Sequence, residues 1–184
     1  MLKPQGLKRG AKIGVIAPAS PPAPSAVEAG CEYLKERGFK VTIGKSNYGR
    51  FRSYLAAPDR TRSRDLLEMF QDATVDAIFC ARGGYGCLRL LPAPLPETPK
   101  IFLGYSDITT LHLALNQKMV TFHGPMVASN FGELDPFTEE NLWQMLTKPM
   151  LCALPHPDRL PPPQTIYPGS CEGVLCGGNL SLVT

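Results

Sequence analysis

The sequence contains no long apolar run and no marked excess of one charge. Because no stretch of about 18 apolar residues occurs, we expect no membrane-spanning helix, and the polar first ten residues do not resemble a signal peptide. The formal net charge is +3 with 19% charged residues, and the only basic cluster is "RTRSR" at 60–64. We interpret that cluster as a solvated helix face. We therefore expect a cytoplasmic protein that binds neither nucleic acid nor a membrane.

The cysteine pattern of a metal site is absent as well. None of the six cysteines forms a CxxC pair, and no histidine lies near Cys171 and Cys176, which flank a predicted strand, so we expect no zinc site. Several cysteines lie inside apolar segments, which favours reduced and mostly buried thiols. The six positions are 31, 80, 87, 152, 171 and 176.

The glycine patterns that bind nucleotide phosphates are missing too. A dinucleotide fingerprint requires G-x-G-x-x-G after the first strand, but the sequence there is "APASPPAP", and proline has no N–H to hold a phosphate. The later "RGGYG" lacks the lysine of a P-loop. The residues therefore argue against a nucleotide cofactor.

What the sequence does contain is a regular alternation of strand and helix patterns. Apolar runs predict five strands, at 12–17, 39–44, 75–81, 101–104 and 119–126. Helical spacing predicts helices at 25–37, from 58 onward, after 106, and at 138–146. This alternation is typical of an α/β protein with a doubly wound, mainly parallel sheet.

The composition changes after Pro149, which indicates a domain boundary. We assign residues 1–148 to an N-terminal domain and the proline-dominated residues 149–170 to a linker. Residues 171–184 include "EGVLCGGNLSLVT", which we interpret as a strand-like start of a second, β-rich domain that is truncated here.

The candidate site lies where the predicted parallel strands end, since ligands bind at the carboxyl edge of such sheets. Ser106 follows the fourth strand directly, either as a helix cap or as a nucleophile on a sharp strand-to-helix turn. The Asp107 amide and an amide of Gly83 or Gly84 after the third strand could then form an oxyanion hole. The segment "GYSDI" lacks the second glycine of the G-x-S-x-G elbow. From pattern alone, both interpretations stay open.

Five segments, taken together, resemble the LD-carboxypeptidases. They are "VIAPAS", "ARGGYG", "GYSDIT", "FHGPM" and "EGVLCGGNL", each at the end of a predicted strand or opening the last segment. That family of serine peptidases includes muramoyl-tetrapeptide carboxypeptidases and microcin C immunity peptidases. The resemblance implies that Ser106 is the nucleophile, that the amides of Asp107 and of Gly84 or Gly83 form the oxyanion hole, and that no metal or organic cofactor takes part.

The resemblance also implies a substrate and a general base. The expected reaction removes the terminal D-alanine of murein tetrapeptides during cell-wall recycling. The general base of the family is a histidine oriented by a glutamate, and both are expected beyond the present sequence, so we expect this chain alone to be inactive. His112 is interpreted as packed or exposed, and His123 matches a segment that does not supply the base. Glu172 is not assigned the role of the triad glutamate.

Some assignments remain open at this stage. Tyr85 and Asn179 are candidates for substrate binding, against the alternatives of a core aromatic residue and a turn residue. The alternatives for function are a microcin C-type immunity peptidase and a non-catalytic fragment that binds muropeptides, and a homodimer could form by exchange of the tail. If Ser106 is a nucleophile, we expect a strained backbone at this residue, whereas if it is a cap we expect relaxed dihedral angles.

Overall fold

Five parallel strands form one sheet, in the order β2-β1-β3-β4-β5. The structure is a computed structural model that describes residues 1–148 and 156–184. The strands are β1 (Lys12–Ile16), β2 (Lys40–Ile43), β3 (Ala77–Cys80), β4 (Ile101–Gly104) and β5 (Phe122–His123). The predicted α/β fold with a doubly wound parallel sheet is therefore confirmed.

The helices cover both faces of this sheet. They are α1 (Pro24–Glu36), α2 (Asp59–Gln71), α3 (Thr109–Leu115), α4 (Pro136–Thr147) and the single turn α5 (Leu180–Val183). Apolar side chains of α1 and α4 pack on one face, around Val15 and Phe79, while those of α2 and α3 pack on the other, around Ile78 and Phe102. Every residue of β3 is buried, as expected for a central strand covered on both sides.

Local sequence sets the ends of the first helix. Pro24 stands in the first turn of α1, where its missing N–H costs no intrahelical hydrogen bond. The helix ends at Glu36, and Gly38 follows with φ +83°, a left-handed conformation that glycine adopts without a steric penalty. The chain then turns back to begin β2 beside β1.

Two strand predictions differ from the structure. The apolar segment 119–126 forms only a two-residue strand, Phe122–His123, at the edge of the sheet. The strand predicted between Cys171 and Cys176 is wrong, because these residues are in irregular, exposed chain. A segment without a neighbouring strand has no partner for its backbone hydrogen bonds, so a β pattern alone does not make a strand.

Little regular structure follows α4 in the described part of the chain. Residues 149–155, the first part of the predicted linker, lie outside the described residues. Residues 156–179 contain no helix or strand, and α5 follows them. No helix among the described residues combines the length and the hydropathy needed to cross a bilayer.

The strand order places the candidate site. Because β1 lies between β2 and β3, the direction of winding reverses between β1 and β3. In an open parallel sheet, such a reversal leaves a crevice at the carboxyl ends of the strands. The loops that follow β1, β3 and β4 therefore meet at one edge.

Candidate active site

Ser106 occupies a sharp turn between β4 and α3. Its φ is +63°, in the left-handed region that residues other than glycine seldom adopt. Such a conformation costs about 1–3 kcal/mol. Ser106 opens a short 3₁₀ helix that runs to Ile108 and continues as α3, and neither helix has a side-chain cap. The backbone conformation is thus the one predicted for a nucleophile at an elbow, and the cap prediction is wrong.

Gly83 brings the loop after β3 into contact with this turn. An ideal Cβ built on Gly83 would lie 2.8 Å from Cβ of Ser106, 3.1 Å from its Oγ and 3.3 Å from the amide nitrogen of Asp107. Any side chain at position 83 would therefore collide with the serine. Glycine is required here because the two backbones approach each other so closely.

Three backbone amides near Ser106 have no acceptor. Among residues 1–148 and 156–184, no hydrogen bond uses the N–H of Gly83, Gly84 or Asp107. The Asp107 amide belongs to the first turn of a helix, where N–H groups lack intrahelical partners. Unpaired N–H groups beside a half-buried hydroxyl are able to bind an anion.

The carboxylate of Asp107 has a different partner from its amide. Its Oδ2 accepts a hydrogen bond of 2.8 Å from the backbone N–H of Cys87, and both residues are buried. Burial raises the pKa of the Cys87 thiol well above its usual value, and the negative charge of Asp107 acts in the same direction. Cys87 is therefore a protonated, structural thiol.

Arg62 fixes the far end of the glycine turn (residues 82–86). Its side chain is fully buried and donates to the carbonyl oxygens of Ala57 at 3.0 Å, of Gly86 at 2.9 Å and of Pro18. It is paired with the carboxylate of Asp59. The prediction that the cluster at 60–64 is a solvated face is therefore wrong for Arg62.

The two histidines nearest the site have different environments. Nε2 of His112 lies 2.8 Å from the carbonyl oxygen of Gly104, so this nitrogen carries the hydrogen and donates it. Burial lowers the pKa of His112 to about 4, which keeps the ring neutral at pH 7. His123 is exposed, and partial desolvation lowers its pKa as well. His112 is thus a packed histidine, and its bonding does not direct it to Ser106.

The two residues predicted to bind substrate lie on separate parts of the structure. Tyr85, in the glycine turn, is 55% exposed and packs edge-on against Tyr54, with ring centroids 5.6 Å apart. It is therefore not a core residue. The backbone N–H of Asn179 donates to Oγ1 of Thr109 at 3.0 Å, which places the tail residue at the start of α3, one turn from Ser106.

The cysteines do not form a site together. Cys31, Cys80 and Cys87 are buried, whereas Cys171 and Cys176 are exposed, so the prediction of mostly buried thiols holds for the first three cysteines only. Cys152 lies outside the described residues. Within the described part of the chain, no group of three His, Cys, Asp or Glu side chains is placed to hold a metal ion.

The structure brings Ser106, Asp107 and Gly83 together, as predicted from the strand ends. Sequence reasoning missed Arg62 and the role of the Asp107 carboxylate. An arginine in a basic cluster resembles a surface residue, and the only local signal was Asp59 three positions earlier, a spacing that allows a helical ion pair. No sequence signal links Asp107 to Cys87, because their contact depends on two loops meeting.

Comparison with known proteins gives a consistent family match. A family model described as the LD-carboxypeptidase N-terminal domain matches residues 13–124. The probable murein peptide carboxypeptidase of Bacillus subtilis is 41% identical over 190 residues, which cover 99% of this chain and 58% of that protein. The murein tetrapeptide carboxypeptidase of Pseudomonas aeruginosa is 33% identical, over 92% of this chain and 58% of that protein.

Solved structures give the same result for the fold. An MccF-like protein from Bacillus anthracis superposes with a TM-score of 0.73 at 33% identity, covering 80% of this chain and 47% of that one. The microcin C7 self-immunity protein MccF in complex with aspartyl sulfamoyl adenosine gives a TM-score of 0.75 at 28% identity, covering 84% of this chain and 51% of that one. The chain thus spans about half to three fifths of the length of these relatives.

Proposed function

This chain belongs to the LD-carboxypeptidase family, whose N-terminal domain it matches, and from that membership we propose that Ser106 is the nucleophile of a serine carboxypeptidase. The observation that carries the proposal is the left-handed backbone of Ser106, φ +63°, next to unpaired backbone amides. A strained turn is expected to persist only where the surrounding structure maintains it, and such turns cluster at active sites. The proposed substrate is a murein tetrapeptide, from which the terminal D-alanine is released.

The proposed chemistry is acyl transfer through a covalent intermediate. Oγ of Ser106 attacks the carbonyl carbon of the last peptide bond, and the carbonyl oxygen becomes an oxyanion. When the tetrahedral intermediate collapses, the C–N bond breaks, D-alanine leaves with a proton on its amine, and an ester on Ser106 remains. Water then hydrolyses the ester and restores the hydroxyl.

The proposed oxyanion hole consists of the Asp107 amide and an amide of Gly83 or Gly84. Support comes from the close approach of the two loops, since an ideal Cβ on Gly83 would lie only 3.3 Å from the Asp107 nitrogen. Removing one donor of an oxyanion hole in another serine peptidase lowers kcat by about 10²–10³. The short distance between the loops is therefore an essential part of the proposed site.

The proton of Ser106 requires a base, and the described residues provide none in contact with it. His112 donates to Gly104 and has a pKa lowered to about 4, so it remains neutral. The family resemblance assigns the base to a histidine–glutamate pair, and no histidine among the described residues is hydrogen-bonded to Ser106. We therefore propose that the present chain hydrolyses its substrate only in traces. Its rate should exceed that of uncatalysed hydrolysis in water by about 10³–10⁴-fold at most.

The names of the relatives support the murein assignment. The Bacillus subtilis protein, which is named a probable murein peptide carboxypeptidase, is 41% identical, whereas MccF from Escherichia coli is 28% identical. The second candidate, an immunity peptidase acting on aminoacyl nucleotides, is favoured by the fold match to MccF with a bound aminoacyl sulfamoyl nucleotide. We propose a cytoplasmic role in murein recycling for the first candidate.

A covalent probe tests the nucleophile without requiring turnover. The chain is incubated with a fluorophosphonate, and the adduct is located by mass spectrometry in the wild type, in Ser106→Ala and in Ser25→Ala, a control with an exposed serine on α1. We expect one adduct, on Ser106, in the wild type and in the control, and we expect it to form slowly because no described base takes the proton of the hydroxyl. An adduct that persists in Ser106→Ala would contradict the proposal.

A competition experiment separates the two substrates. A murein tetrapeptide and aspartyl sulfamoyl adenosine are each added before the probe, and the rate of adduct formation is compared. Stronger protection by the tetrapeptide supports the murein assignment. Stronger protection by the sulfamoyl nucleotide favours the immunity peptidase, and release of D-alanine at a rate typical of enzymes, about 1–10³ per second, would show that the base is present after all.

A further inference from the structure

Ser20, in the loop after β1, makes two hydrogen bonds to the glycine turn. Its backbone N–H donates to the carbonyl oxygen of Gly83 at 3.2 Å. Its Oγ accepts from the backbone N–H of Tyr85 at 3.1 Å. One residue thus contacts the peptide groups on both sides of Gly84.

These two bonds determine which way the amides of the turn point. The peptide bonds of the glycine turn are trans, and in a trans peptide the C=O of one residue and the N–H of the next point in opposite directions. Fixing the carbonyl of Gly83 therefore fixes the N–H of Gly84, which points away from Ser20. The bond to Tyr85 fixes the next peptide plane in the same way.

The backbone of Gly84 depends on these hydrogen bonds because glycine has no strong conformational preference of its own. Its φ is +113°, which glycine adopts readily but does not favour over its alternatives. An ideal Cβ on Gly84 would lie 2.3 Å from Oγ of Ser20, so the serine side chain fills the space directly against the glycine. Ser20 is partly exposed, which allows a conservative change there without opening the core.

We propose that Ser20 is a positioning residue, whose hydroxyl holds the Gly84–Tyr85 peptide so that the N–H of Gly84 faces the developing oxyanion at Ser106. The inference rests on the proposed function, since it concerns the same reaction. Ser20 acts through the turn and does not itself touch the reacting atoms. Without the hydroxyl, the turn samples other peptide orientations, and binding the oxyanion must restrict them again.

Two measurements on the full chain test this proposal. The first is hydrogen exchange of the Tyr85 amide by NMR, for which we expect about tenfold faster exchange in Ser20→Ala than in the wild type. The second is the affinity for a peptide boronic acid in which boron replaces the carbonyl carbon of the residue before D-alanine, so that a serine hydroxyl can form a tetrahedral adduct with it. We expect Ser20→Ala to bind it about threefold to tenfold more weakly, and Ser25→Ala to bind it as the wild type does.

A second variant covers the case in which Ser20→Ala folds poorly. Ser20→Cys keeps a side chain of similar size with a weaker acceptor, so its exchange rate and affinity should be intermediate. Unchanged exchange of the Tyr85 amide in both variants, or boronate affinity within twofold of the wild type despite faster exchange, would overturn the positioning role. If the wild type shows no boronate binding that Ser106→Ala abolishes, the proposed function itself fails, and this inference fails with it.

Discussion

The carboxylate of Asp107 lies 2.8 Å from the backbone nitrogen of Cys87 and accepts its hydrogen bond. Asp107 follows the strained serine, and Cys87 follows the glycine turn, so this one bond joins the two loops that form the candidate site. It also caps the short 3₁₀ helix Cys87–Leu90, which has no side-chain cap of its own at Gly86. The distance between the loops is thus held by a side chain adjacent to the proposed nucleophile.

Replacing Asp107 with alanine should destabilise the protein. The change leaves the buried N–H of Cys87 without an acceptor, which costs about 1–3 kcal/mol. Asp107→Asn is the matched variant, because its amide oxygen still accepts, and it should lose less. Urea unfolding of the three proteins measures the difference, and equal stability of the alanine and asparagine variants would show that the hydrogen bond does not contribute.

Arg62 should be far more sensitive to substitution than its neighbour Arg64. Arg62 is buried and donates to three carbonyl oxygens, whereas Arg64 is exposed on the same helix. Arg62→Ala leaves these carbonyls unpaired and should cost about 3 kcal/mol. Arg64→Ala should stay within about 0.5 kcal/mol of the wild type. Chemical denaturation measures both, and similar losses would contradict the buried geometry.

His112 should make the protein less stable in mild acid. Its pKa is lowered from 6.5 to about 4 by burial, so between these values the unfolded chain binds a proton that the folded chain does not. Stability therefore rises with pH through this window and falls on acidification. From pH 7 to pH 5, the loss from this residue should be about 2 kcal/mol.

The matched variant for this pH dependence is His112→Gln, whose amide nitrogen can still donate to the carbonyl oxygen of Gly104. The free energy of unfolding is measured by urea at both pH values for the wild type, for His112→Gln and for His156→Gln, where the histidine is exposed. From pH 7 to pH 5, the free energy of unfolding should fall by about 2 kcal/mol less in His112→Gln than in the other two proteins. Parallel pH curves for all three proteins would rule out His112 as its source.

Much of the sheet could be predicted because each central strand is a short apolar run between turn residues. The segment containing Ile13 and Val15 and the one containing Ile78 and Phe79 are buried on both faces, so their composition alone indicates them. The strand predicted around Phe122 is longer than the observed one. An edge strand has a neighbour on one side only, and its length depends on tertiary contacts.

The site was predicted in part, for a comparable reason. The serine at the strand end could be named from the sequence, because parallel strands bring their carboxyl ends to one edge. The contacts of Ser20 and Arg62 could not, because each residue acts through backbone carbonyls or amides of a distant loop. Backbone groups are the same at every residue, so a sequence carries no direct signal for them.

The placement of Ser20, Gly83 and Ser106 on three different loops also bears on how the protein folds. Each loop follows a different parallel strand, and parallel strands pair only after the crossover between them has been made. Contacts of this kind have large sequence separations and form slowly. A nascent or partly unfolded chain, in which β1, β3 and β4 are not yet in register, holds Ser106 in an ordinary flexible segment with no amides arranged around it. The special environment of this serine is thus created by complete assembly of the sheet, and it disappears as soon as that assembly opens.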